Sequence, residues 1–263
     1  MSTLAENVAK VTAAHAALKE AITSKGVAVP ENTKLTDMPA LVEQISTEPV
    51  PTNPRAVFAG DTSTSLVVPR MIVVDMTSIT NLTFFLYSSS LKSLVLPDGF
   101  GQNAYSLRGC FTACPNLTTL HLPDGFGQNA VELVSCFASC PHLTPLHLPD
   151  GFGQNATNNN NCFLECSSLT TLHLPDGFGQ NATSNINCFT KCTALKTITG
   201  NPNFKVSFSL SDSTELTHDS LMVVINGLQT VTTTQTLTLG STNLAKLTDD
   251  EKKVATDKGW TLA

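Results

Sequence analysis

Cysteines, histidines and aspartates recur at one interval in this chain, and each set could do chemistry. The eight cysteines fall in pairs, Cys110/Cys114, Cys136/Cys140, Cys162/Cys166 and Cys188/Cys192, each reading Cys-Phe-x-x-Cys. Thiolates ligate zinc, but zinc sites use Cys-x-x-Cys spacings with four convergent ligands. Here the spacing is one residue longer and it repeats. Residues four apart share one face of a helical turn, so both thiols of a pair are expected to fill a core beside leucines. Disulfides between neighbouring repeats, and zinc, are the alternatives. His121, His147 and His173 form a second set, which on adjacent parallel strands would stand about 5 Å apart. Such a row could bind a metal or respond to pH, or it could be a solvated strand face copied by duplication. Asp98, Asp124, Asp150 and Asp176 lie in Asp-Gly-Phe-Gly-Gln-Asn. One carboxylate per repeat is too few for a calcium loop, so Asx-turns are expected there. Asn103, Asn129, Asn155 and Asn181 are expected to form a side-chain amide ladder. There is no Gly-x-Ser-x-Gly, His-Glu-x-x-His, phosphate loop or Rossmann fingerprint, so no catalytic residue, metal ligand or cofactor is assigned.

The element that must position these residues is a repeat. Leu-Pro-Asp-Gly-Phe-Gly-Gln-Asn-Ala occurs four times, with its proline at Pro97, Pro123, Pro149 and Pro175. Each proline follows the last by 26 residues, the difference between 123 and 97. Leu-Thr-x-Leu-x-Leu precedes the later copies, as in Leu117, Leu120 and Leu122. It ends in a period-2 pair that suits a short strand with Leu120 and Leu122 inward and His121 outward. Pro-Asp-Gly ends the strand, because proline lacks a ladder donor and Asp-Gly suits a tight turn. One unit cannot bury its own apolar face, but stacked units make a continuous core. Degenerate copies extend the array. Phe84, Phe85, Ser88 and Leu91 keep the phase upstream, and Leu195 and Ile198 keep it downstream before Gly200-Asn201-Pro202 breaks the pattern.

Phe-x-x-Cys-x-x-Leu-Thr-x-Leu-x-Leu-Pro, as in Phe163 to Pro175, resembles the BspA-like class of leucine-rich repeats over roughly residues 70–200. The second cysteine and the Gly-Phe-Gly-Gln-Asn insertion depart from that class. The resemblance implies an α/β repeat fold, a leucine-rich-repeat solenoid with 26-residue rungs. It also implies a ligand-binding or adhesive scaffold without enzymatic activity.

The flanks complete the organisation. Residues 3–25 read as a helix, with Thr3 and Glu6 as a capping box and Gly26 as its stop. Leu4, Val8, Val11, Leu18 and Ile22, with His15 in the sixth place, make a heptad seam. That helix either folds back on a second one at 37–45 or self-associates. The region, with Gly-Val-Ala-Val-Pro-Glu-Asn-Thr and Leu-Thr-Asp-Met-Pro-Ala-Leu, resembles amino-terminal attachment segments of phage tail-fibre-like proteins. Expected boundaries are 1–46 for this segment, 47–54 for a proline-rich linker, 55–204 for the solenoid and 205–263 for an α/β carboxy-terminal cap. In the cap, Thr217 precedes a helical run, Thr236–Gly240 reads as a strand, and Thr248 with Glu251 opens a helix that stops at Gly259.

Units 97–122 and 123–148 share 18 of 26 residues, and the differences cluster after Gln-Asn-Ala. The four windows read YSLRG, VELVS, TNNNN and TSNIN. A window that varies on a fixed frame is either a permissive loop or a recognition surface. The candidate binding residues are therefore Thr119, His121, His147, Thr171 and His173 on the outward strand column, with Tyr105, Arg108 and Glu132 in the windows.

Composition narrows the function classes. Charged residues make up 14%, against roughly 25% in ordinary soluble proteins. A net charge of -6 gives no basic footprint for nucleic acid. No apolar stretch reaches the ~18–20 residues of a membrane span, so no membrane insertion is expected. Met1–Lys10 has neither a basic nor an apolar signal region, which fits a virion part assembled in the cytosol, with a cell-surface location as the alternative. The expected partner is a protein or glycan ligand on a cell surface, with homo-oligomer formation through residues 1–46 as a further expectation. A tail-fibre-like adhesin and a cell-surface or secreted interaction protein are the two functional expectations.

Overall fold

The computed structural model describes residues 90–96 and 98–263, and the backbone of 65–67. The amino-terminal helices, the linker and the degenerate copy at 84–88 lie outside the described residues. Strands β1 (Ser65–Val67), β2 (Ser93–Val95) and β3 (Thr119–His121) pair in parallel. So do β4 (Thr171–Leu174) and β5 (Thr197–Gly200). The rung between β3 and β4 is held by bridges from Leu146 to Leu120 and to Leu172. It does not form a full strand because Pro145 brings no ladder N–H. Partners from β2 onward lie 26 residues apart, as in Leu94, Leu120, Leu146, Leu172 and Ile198. These five side chains are buried in one apolar core.

Phenylalanine fills the rest of that core. Phe111, Phe137, Phe163 and Phe189 stack with ring centroids 5.4, 5.6 and 5.5 Å apart. The phenylalanines of the Asp-Gly-Phe-Gly turns, Phe100, Phe126, Phe152 and Phe178, form a second stack at 6.5, 6.2 and 6.5 Å. Offset stacks at such separations add to area burial. Every one of these rings is buried, so the turn is also a core element. The second glycine of the turn is fixed by this. At Gly153, with φ +72°, a Cβ would meet the Phe178 ring at 2.8 Å.

The Cys-Phe-x-x-Cys segments are turns, not helix. The expected inward direction of both thiols holds, yet the backbone reaches it differently. Each segment follows directly on a residue with positive φ (Gly109, Ser135, Asn161 and Asn187) and contains a second (Ala113, Ser139, Glu165 and Lys191). Two left-handed residues in five interrupt any helix. The amide ladder also takes another form. Asn129, Asn155 and Asn181 donate to the main-chain oxygens of Gln102, Gln128 and Gln154 in the preceding rung, at 2.8, 2.9 and 2.9 Å. Nor are the aspartates Asx-turns. Asp98, Asp124, Asp150 and Asp176 are exposed, and backbone bonds such as Phe126 to Pro123 and Gln128 to Gly125 close the turns instead.

Beyond the last rung the chain forms a parallel sheet, β6 (Phe208–Ser209), β7 (Gln235–Thr238) and β8 (Trp260–Leu262). Three helices accompany it: α1 (His218–Asn226), α2 (Gly240–Leu244) and α3 (Asp249–Asp257). Thr217 caps α1 through the Ser220 N–H, and Thr248 with Glu251 forms both bonds of a capping box on α3. Both phenylalanine stacks end on Phe204, which meets Phe178 and Phe189 edge-on at 6.0 and 6.3 Å. Phe204 then stacks on Phe208 at 4.2 Å, and Phe208 meets Trp260. The solenoid core thus runs without a break into the carboxy-terminal unit.

Candidate binding surfaces

The strand face presents its side chains in register. Thr119, His121, His147 and Thr171 are exposed and His173 is half-buried, while Leu120, Leu146 and Leu172 between them are buried. His147 and His173 lie parallel with ring centroids 6.2 Å apart and an interplanar angle of 16°. The His173 Nδ1 is 3.1 Å from the Thr199 hydroxyl, and the Thr144 and Thr170 hydroxyls are 3.3 Å apart. Among the described residues no three His, Cys, Asp or Glu side chains converge as metal ligands.

The variable windows form a second ladder. Ser106, Glu132, Asn158 and Ser184 are joined by parallel bridges, a feature that five-residue windows of mixed composition did not signal. Tyr105, Arg108 and Glu132 come together there. The Ser106 hydroxyl donates to Glu132 at 3.0 Å, and the Arg108 Nε is 3.8 Å from the same carboxylate oxygen. The two exposed large apolar side chains among the described residues, Tyr105 and Ile186, both belong to these windows. The windows are not wholly exposed, however. Their third positions, Leu107, Leu133, Asn159 and Asn185, are buried. Asn159 donates to the Asn185 Oδ1 at 3.0 Å, and the Asn159 Oδ1 has no partner.

A groove of about 660 Å³ crosses the rungs at the Cys-Phe-x-x-Cys turns, lined by Ala113, Pro115, Ser139, Pro141, Glu165 and Lys191 among others. Ser139 donates to one Glu165 oxygen at 2.8 Å and Lys191 to the other at 2.6 Å. These bonds hold the Glu165 carboxyl below its ordinary range, the Lys191 bond first.

The cysteines are all buried and unbridged. In the last three pairs the second thiol donates to a phenylalanine carbonyl of the preceding rung: Cys140 to Phe111, Cys166 to Phe137 and Cys192 to Phe163, at 3.0, 3.2 and 3.1 Å. Burial raises Cys136, Cys162, Cys166 and Cys188 well above the usual thiol range and pushes Cys192 up to about 12. For Cys140 the Cys114 thiol contributes most and burial next. Thiolate chemistry needs the opposite shift, so these groups are packing residues.

The rungs, their inward leucines and the outward strand face define a leucine-rich repeat fold. Residues 108–225 match the BspA-type leucine-rich repeat region, in six copies. Two solved structures are similar to the chain. The leucine-rich repeat protein of T. pallidum is 17% identical with a TM-score of 0.51, over 77% of this chain and 86% of that one. A leucine-rich cell surface protein of Faecalibacterium prausnitzii is 21% identical with a TM-score of 0.39, over 52% of this chain. This chain spans 32% of that protein's length. No curated protein matches the chain.

Proposed function

We propose that the chain is a non-enzymatic binding or adhesion protein whose strand face holds a protein or glycan ligand. The observation that carries this is the in-register row of outward Thr and His side chains over a continuous apolar core. In the finer form of the reading, 26-residue rungs make up the solenoid, residues 205–263 are its cap, and residues 1–46 attach a tail-fibre-like adhesin and drive its self-association. A cell-surface or secreted interaction protein is the alternative, and it uses the same face. The variable windows with Tyr105, Arg108 and Glu132 are a second contact surface. A flat, weakly charged face suits hydrogen bonding to an extended ligand, whereas small metabolites need a concave apolar pocket. Probing a glycan and protein array with the full chain and with the His121→Ala/His147→Ala/His173→Ala variant tests the reading. Spots bound by the first and lost by the second are expected. A variant that keeps every spot overturns the strand face.

A further inference from the structure

The variable windows present an outward grid of side chains. Their third positions are buried, so on a bridged ladder the second and fourth positions face outward. Three successive rungs of the grid hold Glu132 and Val134, Asn158 and Asn160, then Ser184 and Ile186. We infer that this grid binds an N-acetylated sugar, with the Asn158 and Asn160 amides donating to its acetamido carbonyl and hydroxyl oxygens and Ile186 and Val134 flanking its methyl group. The inference deepens the proposed function by giving the second contact surface a ligand class, and it rests on that reading.

Amide orientation is fixed by the partners. The Asn160 Oδ1 accepts from the Ile186 N–H at 2.8 Å and from the Ser184 hydroxyl at 2.6 Å. The Asn158 Oδ1 accepts from the Asn160 N–H at 3.1 Å. A main-chain N–H can only donate, so these bonds decide which amide atom is the oxygen. Both oxygens are engaged inside the protein, while neither Nδ2 has a protein partner among the described residues. Each amide is held in place with only its N–H donors left for a ligand. The pair can therefore recognise acceptors. One Glu132 oxygen is held by Ser106 and Arg108, and the other is the one carboxylate oxygen of the grid left to accept.

This donor excess separates the ligand classes. A polypeptide laid on the grid brings as many N–H donors as carbonyls, and most of its donors would find no acceptor. Sugar hydroxyls rotate to accept, so a glycan suits the amides better. The apolar neighbours then choose among glycans. Asn160 stands in register between Val134 and Ile186. Ile186 is 62% exposed and Val134 is half-buried. An acetamido group sets a carbonyl beside a methyl, and so meets the Asn160 donor and an apolar side chain together. An unsubstituted hydroxyl in its place leaves Ile186 in water, without the burial that stabilises the contact.

Calorimetric titration of the full chain with the β-1,4-linked trimer of N-acetylglucosamine and with cellotriose tests this, since the two differ only in the acetamido groups. The acetylated trimer should bind about tenfold more tightly than cellotriose. Asn160→Asp keeps an oxygen for Ile186 and Ser184 but removes the N–H donors. It should keep the parent melting temperature and weaken trimer binding about tenfold. Ile186→Ser, at an exposed site, should bring the trimer down to the cellotriose level, and it carries the test if Asn160→Asp fails to fold. Equal affinity for the two sugars overturns the inference, as does parent-like affinity in a folded variant, tighter binding of acetyl-trialanine amide, or no binding of the acetylated trimer. The His121→Ala/His147→Ala/His173→Ala variant should bind the trimer as the parent does, and loss of binding there overturns the inference by moving the sugar to the strand face. If the trimer does not bind, the strand-face reading still stands where that variant loses an array ligand, and falls where it keeps every spot.

Discussion

At the scale of single residues, three positions make the packing testable. Gly153 was legible as a turn residue, but its reason was not. Its positive φ and the 2.8 Å approach of a Cβ to Phe178 mean that Gly153→Ala must both strain the backbone and push a buried ring. A loss of about 2–4 kcal/mol in denaturant unfolding is expected, and a loss below about 0.5 kcal/mol would contradict the phenylalanine stack. Asn159 and Asn185 lie where the first two windows carry leucine. The unpartnered Asn159 Oδ1 costs free energy there. Replacing both asparagines by leucine should leave stability unchanged or raise it by up to about 2 kcal/mol, with a marked loss as the contrary result. The third position is His218, whose Nε2 meets the Glu251 Oε1 at 2.8 Å. Its pKa is raised by Glu251 first and Asp219 next. Glu251 is lowered, by the Thr248 N–H first and His218 second. The histidine contribution is present below its unfolded pKa and fades as pH rises through the raised value. The glutamate contribution is present above its unfolded pKa and fades as pH falls through the lowered one. Both act together between roughly pH 4.5 and 6.5. The melting-temperature gap between the parent and His218→Gln should peak in that window and shrink above it.

At the scale of elements, the strands were the most legible part, because Leu-x-Leu alternation sets the inward and outward phase directly. The Cys-Phe-x-x-Cys segment was legible in direction but not in form. Spacing of four is shared by a helical turn and by this pair of turns, and the positive φ at Ser139, Glu165 and Lys191 leaves no compositional mark, since none of those residue types favours it. The Asp-Gly-Phe-Gly segment was legible as a tight turn that ends the strand. Its phenylalanine is a core residue, which a single aromatic between two glycines does not announce. The buried thiols lead to a prediction at this scale. Native protein kept from oxidation should resist alkylation, and eight thiols should react once it is unfolded without reductant. Finding two or fewer would mean cross-linking. Cys136→Ser should cost on the order of 1–3 kcal/mol, because it sets a hydroxyl among apolar neighbours. Cys140→Ser should cost less, since a hydroxyl can replace the thiol donor to the Phe111 carbonyl.

At the scale of the whole molecule, the described residues form a one-dimensional stack whose rungs share one core, so local changes weaken neighbouring rungs as well as their own. The period of the repeat made that architecture readable from the sequence, and the candidate strand residues could be placed from the same period. The second ladder and the groove at the cysteine turns could not, because the windows vary in composition and the period of the cysteine turns gives their spacing but not the two left-handed residues that shape them. The most direct measurement is a histidine footprint. Full-length protein is labelled with diethylpyrocarbonate with and without a ligand found on the array. His121, His147 and His173 should label more slowly when ligand is bound, while His142 and His218 keep their rates. Unchanged labelling of all three strand histidines on saturation with ligand would show that the ligand binds elsewhere.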